Sequence, residues 1–439
     1  MPRNAQFQPG REPLHDHPSL TLHHSHISGP LAFLNPTRAR YAAATAATPV
    51  QEADGTADTK LELKTPKYTS PVVEHLWRSR DNRKGRHALR VDYQAAQDAR
   101  HAAPASTPAP TSSLSAVLRG ILRMATYAPY WDVSYLVAVT FTVGSAIWII
   151  NAFFAWLPLV DPATEFSGES LVGGGVTGFI GATVFEVGSV LLLLEAVNAH
   201  QTGCFGWALE TELTKLEGEN QNHSTVTAVK SIKEDCRHHH ANKRNLVGAG
   251  KNGRRHSLSA AEGYSTTLSD GQSFRWVPSL SELRSHYLHE LGFLASLIQF
   301  FAASIFWIAG LTGLPGIIDN MSTGLTDGIY WVPQMVGGVG FIISGLLFTL
   351  ETQKKWYLPA FNVLGWHIGA WNFIGGIGFT LCGALGPGTS SSKVEYQATL
   401  ATFWGSWAFM IGSTIQWYES LEKYPVERKR LGDSTPTVE

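Results

Sequence analysis

The stretch that decides the fold is residues 337–351, which reads GGVGFIISGLLFTLE. The same frame recurs at 181–195 (GATVFEVGSVLLLLE) and at 405–419 (GSWAFMIGSTIQWYE). All three follow the pattern G-x3-F-x2-[GS][GS]-x5-E. Because the marked positions fall on one stripe of an α-helix, the pattern predicts a helix whose small residues let a second helix approach closely and whose stripe ends in an acid.

The distribution of apolar residues indicates a membrane protein. The chain has 439 residues, a formal net charge of -1 and three cysteines without a C-x-x-C pair. It contains no nucleophile elbow, no H-E-x-x-H and no nucleotide loop, so we expect no enzyme activity, no cofactor or metal site and no nucleic-acid partner. Six apolar stretches, each near the ~20 residues that cross a bilayer, lie at 133–158, 171–194, 289–313, 329–350, 361–385 and 397–418.

The distribution of lysine and arginine predicts the orientation. Eleven basic residues lie between Lys215 and Arg284. Because cytosolic loops collect positive charge, we expect the long loop and both termini in the cytosol. The membrane is expected to be the plasma membrane or an internal membrane, and its lipid bilayer is an expected partner. Only one basic residue, Lys393, lies in the three opposite connections, 159–170, 314–328 and 386–396.

These observations predict an all-α polytopic membrane protein with six transmembrane helices arranged as three parallel two-helix hairpins. The expected segments are a disordered cytosolic tail (1–110), an interfacial amphipathic helix (111–131), membrane hairpins at 132–196, 288–352 and 356–420, a cytosolic loop inserted after the first hairpin (197–287) and a cytosolic C-terminal tail (421–439).

The two segments before the first hairpin have different patterns. Residues 1–110 lack periodicity and are rich in Ala, Pro, Thr, His and Arg, which favours disorder. The segment after this tail carries one helical stripe of five apolar residues, Leu114, Val117, Leu118, Ile121 and Leu122. The stripe indicates an amphipathic helix on the inner leaflet or, alternatively, a cytosolic extension of the first span.

The loop and the outer connections carry candidate modification sites. Two arginines precede Ser257 in RRHSLS (254–259), the pattern that basophilic kinases read, so Ser257 is a candidate phosphorylation site. The sequon at Asn320 lies in an outer connection and is a candidate glycosylation site, whereas the sequon at Asn222 is expected to stay unmodified. We expect the tail and the loop to contact any cytosolic protein partners. Ser279 with Glu282 predicts a helix start that continues into the third span.

Each recurring helix is preceded by a weaker second pattern, GSAIW (144–148), ASIFW (303–307) and GGIGF (375–379). The repeating unit is therefore a hairpin that starts and ends on the same side, so the units are parallel. The combined frame resembles the YrhK-like domain, a small two-helix membrane family, here in three tandem units, and the layout is similar to uncharacterised fungal integral membrane proteins. The resemblance implies a fold and no activity. The order Ser344-Gly345 departs from the Gly-Ser order of the other two units.

Several polar residues lie within the apolar stretches. Glu186 has no counterpart in the other units, and it is either a protonated acid bonded to a neighbouring helix or part of an ion or proton path. His367 and Asn372 lie on different faces of one helix, which favours hydrogen bonds between helices over a ligand role. The same role is expected of Gln299 and Gln334.

The repeat-end acids Glu195, Glu351 and Glu419 are expected at one depth, at the cytosolic boundary. An exposed acid at a helix C-terminus opposes the helix dipole by ~0.3–1 kcal/mol, so three of them predict positive partners. If the hairpins close into a ring, the acids could instead converge on a cation, and the third alternative is three acids in plain water. The expected donors flank the odd helices and are Arg284, His286, His289, Lys354 and Lys355.

Two functions remain open. The first is a non-catalytic membrane scaffold or sensor that works through its cytosolic tail and loop. The second is a small channel or transporter for ions or protons that uses Glu186 and the three repeat-end acids. The small number of intramembrane charges favours the first.

Overall fold

The computed structural model describes residues 2–9, 11–13, 20–43, 73–99, 109–199, 202, 205 and 274–429. Ser257, Asn222 and most of the loop at 197–287 lie outside these residues, so the predictions for them are not addressed by the structure.

Both ends of the chain contribute to a small cap built on a five-stranded sheet. Its strands lie side by side in chain order and are β1 (Leu20–Leu22), β2 (Arg38–Ala43), β3 (Val73–Arg78), β4 (Ala88–Val91) and β5 (Val426–Arg428). Neighbours from β1 to β4 are antiparallel, and β5 is parallel to β4, with Leu89 opposite Val426. Two short helices follow β3 and β4, namely α1 (Ser79–Arg83) and α2 (Tyr93–Ala99).

The cap corrects two expectations. The described residues are mostly helical, but this sheet departs from the all-α assignment, and the described residues of the tail at 1–110 include four of its strands, β1 to β4. The strands are short, and the fifth comes from the C-terminal part of the chain, so no local hydrophobic period in the sequence predicts the sheet. The sheet is held by a small apolar core of Ile27, Ala39, Tyr41 and Trp77.

The predicted amphipathic helix is present as α3 (Leu114–Thr126). Its side chains Leu114, Leu118, Ile121 and Leu122 are all more than half exposed. On the opposite face, Gly120 packs so tightly that a Cβ there would lie 2.4 Å from the Tyr418 ring. One face of α3 is therefore docked and its apolar stripe is left free.

Among the described residues, five helices are long and apolar enough to cross a membrane, which indicates a membrane protein. A sixth long helix, α11 (Ser392–Leu421), begins with the more polar SKVEYQAT and is not one of the five. Two short helices, α6 (Leu280–Ser285) and α8 (Thr323–Thr326), lie between the long ones. The α-helical parts of the five apolar helices are α4 (Val133–Val160), α5 (Gly175–Val197), α7 (Leu291–Thr312), α9 (Val332–Glu351) and α10 (Leu364–Leu385).

The helix start predicted at Ser279 is confirmed, because Ser279 and Glu282 form a capping box at the start of α6. The continuation into the next span is wrong. The helix ends at Ser285, and a turn at Tyr287–His289 precedes α7.

The six long helices pack in a closed ring, α4–α5–α7–α9–α10–α11 and back to α4. Two layers of aromatic side chains fill its axis. In the proximal triangle, nearer the repeat-end acids, the ring centroids of Phe185, Phe341 and Phe409 are 5.5–6.4 Å apart. In the distal triangle, those of Trp148, Phe306 and Phe379 are 5.0–5.4 Å apart.

The distal triangle shows that the copy of the weaker pattern at 303–307 was aligned with the other two copies one residue too late. Phe306, rather than Trp307, occupies the place of Trp148 and Phe379 on the axis. Trp307 instead turns towards α5, where its Nε1 donates to Thr183 Oγ1 at 3.0 Å. The pattern at 302–306 (AASIF) is therefore the one in register with the other two hairpins.

Candidate functional site: a buried ion-pair cluster

The three repeat-end acids meet at one end of the ring. Glu195, Glu351 and Glu419 lie in the last turn of their helices, with exposed fractions of 0 %, 2 % and 0 %. Three carboxylates so deeply buried cost several kcal/mol each unless opposite charges and hydrogen-bond donors reach them. The alternative of three acids in plain water is therefore wrong.

The opposite charges come from the cap, in residues 79–86 (SRDNRKGR), here named the plug. Arg83 bridges two acids, with Nη1 2.8 Å from Glu195 Oε1 and Nη2 2.7 Å from Glu351 Oε2. Arg80 forms a bidentate pair with Glu419, at 3.2 Å from Nε to Oε1 and 2.7 Å from Nη2 to Oε2. Such forked, charge-assisted hydrogen bonds are the strong kind.

The rest of the plug reaches the remaining carboxylate oxygens. Lys84 Nζ lies 3.4 Å from Glu195 Oε2, and Ser79 Oγ donates to Glu351 Oε1 at 3.0 Å. Arg86 Nη1 adds a second donor to Glu419 Oε1 at 3.1 Å. All six oxygens of the three acids thus have a partner from the plug.

The order of residues in the plug explains how it reaches three helices at once. Arg80, Arg83 and Lys84 are spaced three and four residues apart, so they lie on one face of α1 and the turn after it. Gly85 then adopts φ +61°, a backbone geometry that favours glycine, and the chain turns back into β4. Arg86 Nη1 also pairs with Asp81 Oδ1 at 2.5 Å, which fixes that turn.

Two glycines at the starts of odd helices make room for the plug. A Cβ on Gly292, near the start of α7, would lie 2.4 Å from Glu351 Oε1 and 2.8 Å from Arg83 Nε. A Cβ on Gly365, near the start of α10, would lie 2.3 Å from Arg80 Nε. Any larger residue at either position would push a guanidinium group out of its pair.

The expected donors are wrong. None of the five residues proposed from the sequence contacts these acids in the described part of the chain. His286 Nε2 lies 3.0 Å from Glu290 instead, and Lys355 Nζ lies over the Tyr357 ring. The alternative in which the three acids converge on a cation is closer to the structure. The cations are arginine and lysine side chains of the same chain, in place of a bound ion.

Burial and charge shape the protonation of the plug. Burial lowers the pKa of Lys84 to about 8, and the Glu195 carboxylate opposes that shift. Burial also disfavours the charged form of Arg80, but the Glu419 carboxylate more than compensates and raises the pKa of Arg80. Arg80 therefore stays charged, whereas the lowered pKa of Lys84 brings its titration closer to neutral pH.

A cavity lies on the axis between the plug and the proximal triangle, here named the axial cavity. The space open to the centre of a water molecule is about 30 Å³. Arg80, Arg83 and Lys84 line the plug side, and Phe185 and Phe409 line the aromatic side. Three amide side chains also line it, Gln299, Asn372 and Gln416.

The other predicted polar residues lie away from the plug. Glu186 Oε1 accepts a hydrogen bond from Ser304 Oγ at 2.8 Å between α5 and α7, and it does not line the axial cavity. Gln334 donates to Cys382 Sγ at 3.1 Å. The positions nearer the helix ends are His367, whose Nε2 lies 2.8 Å from the Phe361 carbonyl, and Asn320, which donates to the Gly316 carbonyl at 2.9 Å.

The sequence prediction missed the plug residues Arg80, Arg83, Lys84 and Arg86. The sequence does contain a signal for them. Three acids at equivalent helix positions need positive partners, and residues 78–90 form a run that is rich in arginine and lysine. Its position in a segment of low periodicity concealed it.

Comparison of the chain with protein-family models, with curated proteins and with solved structures finds no match.

Proposed function

We propose that this chain is a non-catalytic membrane scaffold or sensor in which the plug couples a cytosolic cap to a ring of six spans. The observation that carries the proposal is the satisfaction of all six oxygens of Glu195, Glu351 and Glu419 by residues 79–86. Three helices thus share one cap segment as their counter-charge. A shift among these helices changes the fit of the plug, so the cap responds to the membrane part.

Two observations support α11 as the sixth span and the three hairpins as tandem units resembling the YrhK-like domain. Glu419 of α11 joins the same cluster as Glu195 and Glu351, and α11 closes the ring between α10 and α4. Each hairpin also supplies one side chain to each aromatic triangle.

A cytosolic location of both ends is supported by the sheet, in which β5 from the C-terminal end pairs with β4. Because both belong to one cap, both ends of the chain lie on one side of the ring. The lysine and arginine distribution assigns that side to the cytosol. In this arrangement α3 lies on the inner leaflet with its apolar stripe in lipid, and the loop with Ser257 is available to cytosolic partners.

The test compares the Arg80→Gln/Arg83→Gln double variant with the wild-type chain in membranes. We expect hydrogen exchange of the β3–β4 amides to rise and the proteins labelled by a proximity enzyme fused to the C-terminus to change. The matched control is Arg119→Gln/Arg284→Gln, which removes two arginines that are both exposed. Unchanged exchange and labelling in the plug variant would contradict the coupling.

A conduit for ions or protons is the second candidate, and the axial cavity is the observation that favours it. Two closed aromatic triangles on the same axis oppose it. Ion and proton flux into liposomes, measured for wild type and for Arg80→Gln/Arg83→Gln, separates the candidates. We expect no flux from wild type, and flux above that of empty liposomes would replace the first proposal.

A further inference from the structure

We infer that the axial cavity is a binding site for one monatomic anion of about the size of chloride. The site lies on the axis between the plug and the proximal triangle. This inference goes beyond the coupling role of the plug, because it assigns a ligand to the space that the plug closes.

The first argument is a set of buried amides without partners. Gln299 and Gln416 have exposed fractions of 8 % and 6 %, and both line the axial cavity. Neither has a hydrogen-bond partner among the described residues. An amide N–H that faces a cavity gains a hydrogen bond from a ligand or water that accepts it, so such an occupant is favoured there.

The second argument is an ammonium group with unused donors. Lys84 is fully buried and lines the axial cavity. Its Nζ carries three N–H donors, and the described residues offer it one hydrogen bond, of 3.4 Å, to Glu195 Oε2. Donors on the Lys84 ammonium are therefore left for a cavity ligand.

The charge lining the axial cavity favours an anion over a cation. Arg80, Arg83 and Lys84 are among its lining residues, whereas the three repeat-end acids are not. The amides can also present N–H groups to this space. A cation in this space would face three positive side chains at short range.

The size of the axial cavity limits the ligand. A water molecule needs roughly 10–15 Å³ of such space, so the volume of about 30 Å³ holds about two water-sized particles. A halide ion fits, and a phosphate or carboxylate ligand does not. Because the three acids and Asp81 already balance the four plug cations, we expect weak binding, on the order of millimolar, where a Kd of 1 mM corresponds to about −4 kcal/mol.

The experiment measures the thermal unfolding temperature of the purified full-length chain in sodium chloride, sodium bromide and sodium gluconate at constant ionic strength. We expect chloride and bromide to raise it by about 2 °C for each tenfold increase above the Kd. Gluconate is too large to enter and should not. An equal rise in all three salts would overturn the inference.

Variants locate the effect. Gln299→Leu/Gln416→Leu should abolish the halide-specific rise. The control Gln334→Leu removes a buried glutamine that bonds Cys382 outside the cavity, and it should keep the rise. A double variant that keeps the halide response would mean that the cavity holds water only. If the double variant fails to fold, anomalous diffraction from wild-type crystals grown in bromide decides, because a missing peak in the axial cavity contradicts the inference.

Discussion

The aromatic triangles and the ion-pair cluster occupy one axis, but they are completed in different ways. Each triangle takes its three side chains from three different helices of the ring, so the ring itself closes the layer. In the cluster three helices supply one acid each, and among the described residues their ion-pair partners all come from residues 79–86. An apolar layer can be built from identical units, whereas three identical acids repel one another and need a different partner.

The two layers are also held together by different interactions. Side chains in the triangles gain mainly close packing, because lipid is as apolar as the ring interior. Charges in the cluster have been removed from water, so the loss of one partner leaves another charge unpaired. Substitutions in the cluster should therefore cost more than substitutions in the triangles.

The largest expected effect is that of Arg83→Gln. It removes the bridge between Glu195 and Glu351, and it should lower the free energy of unfolding by about 3–5 kcal/mol, the usual cost of breaking a buried ion pair. Denaturant titration in micelles measures the change. Adding Glu195→Gln and Glu351→Gln should recover part of the loss, because the unpaired charges are then gone.

The control for this substitution is Arg284→Gln, in the exposed flank of α6. We expect it to change the free energy of unfolding by less than about 0.5 kcal/mol. Equal stability of Arg83→Gln and Arg284→Gln would contradict the role of the cluster.

The next effect is that of Phe379→Ala in the distal triangle. The substitution removes packing against both Trp148 and Phe306, and we expect the free energy of unfolding to fall by about 1–3 kcal/mol. This is less than in a soluble core, because in a membrane or micelle the side chain is already out of water in the unfolded state. The control Phe301→Ala truncates a side chain that is 56 % exposed and should change little. A loss exceeding that of Arg83→Gln would reverse the ranking of the two layers.

A smaller effect is the pH dependence from Lys84. Burial lowers its pKa to about 8 from the ordinary 10.5. Between these values the unfolded chain holds a proton that the native chain has lost, so the free energy of unfolding should rise with pH, by about 1 kcal/mol per pH unit. Below pH 8 both states are protonated, and this group adds no slope.

The measurement subtracts the pH profile of Lys84→Met from that of wild type, so that other titrating groups cancel. A positive difference in slope confined to pH 8–10.5 is expected. A flat difference would mean that Lys84 has an ordinary pKa and is better hydrated than its burial indicates.

The smallest effect tests where the cluster end meets α3. Gly120→Val would force the Tyr418 ring aside, because a Cβ there lies only 2.4 Å from it. Arg123 Nη1 donates to the Leu421 carbonyl at 2.9 Å beside this contact. We expect Gly120→Val to lower the free energy of unfolding by roughly 1 kcal/mol and to weaken that hydrogen bond, seen as faster exchange at the end of α11. The control Ser115→Val lies on the exposed side of α3, and an equal change in both would contradict the docking of α3.

Several elements could be predicted because their signal is local. The helical period at 114–122 predicts α3, Ser279 with Glu282 predicts the start of α6, and the length of the apolar stretches predicts the membrane helices. The recurring frame at 181–195, 337–351 and 405–419 predicted three acids at equivalent positions. Each of these patterns is complete within about twenty residues.

The partners of those acids could not be read in this way. Arg80 and Arg83 lie in a segment without periodicity, and their pairing with Glu419 and Glu195 follows from the closure of the ring and the docking of the cap. The sheet that carries α1 depends on β5 from the other end of the chain. The choice between Phe306 and Trp307 on the axis was also open in sequence, because both are aromatic and adjacent.

The sequence by itself thus determined where the long apolar helices lie, and where three of the long helices carry a glutamate in their last turn. Local periodicity and apolar length specify those features. Only the tertiary structure decided that the three glutamates converge, that the plug neutralises them and that a cavity remains above it. The physical reason is that a buried carboxylate requires a counter-charge without specifying which one, and that choice depends on contacts between residues far apart in the chain.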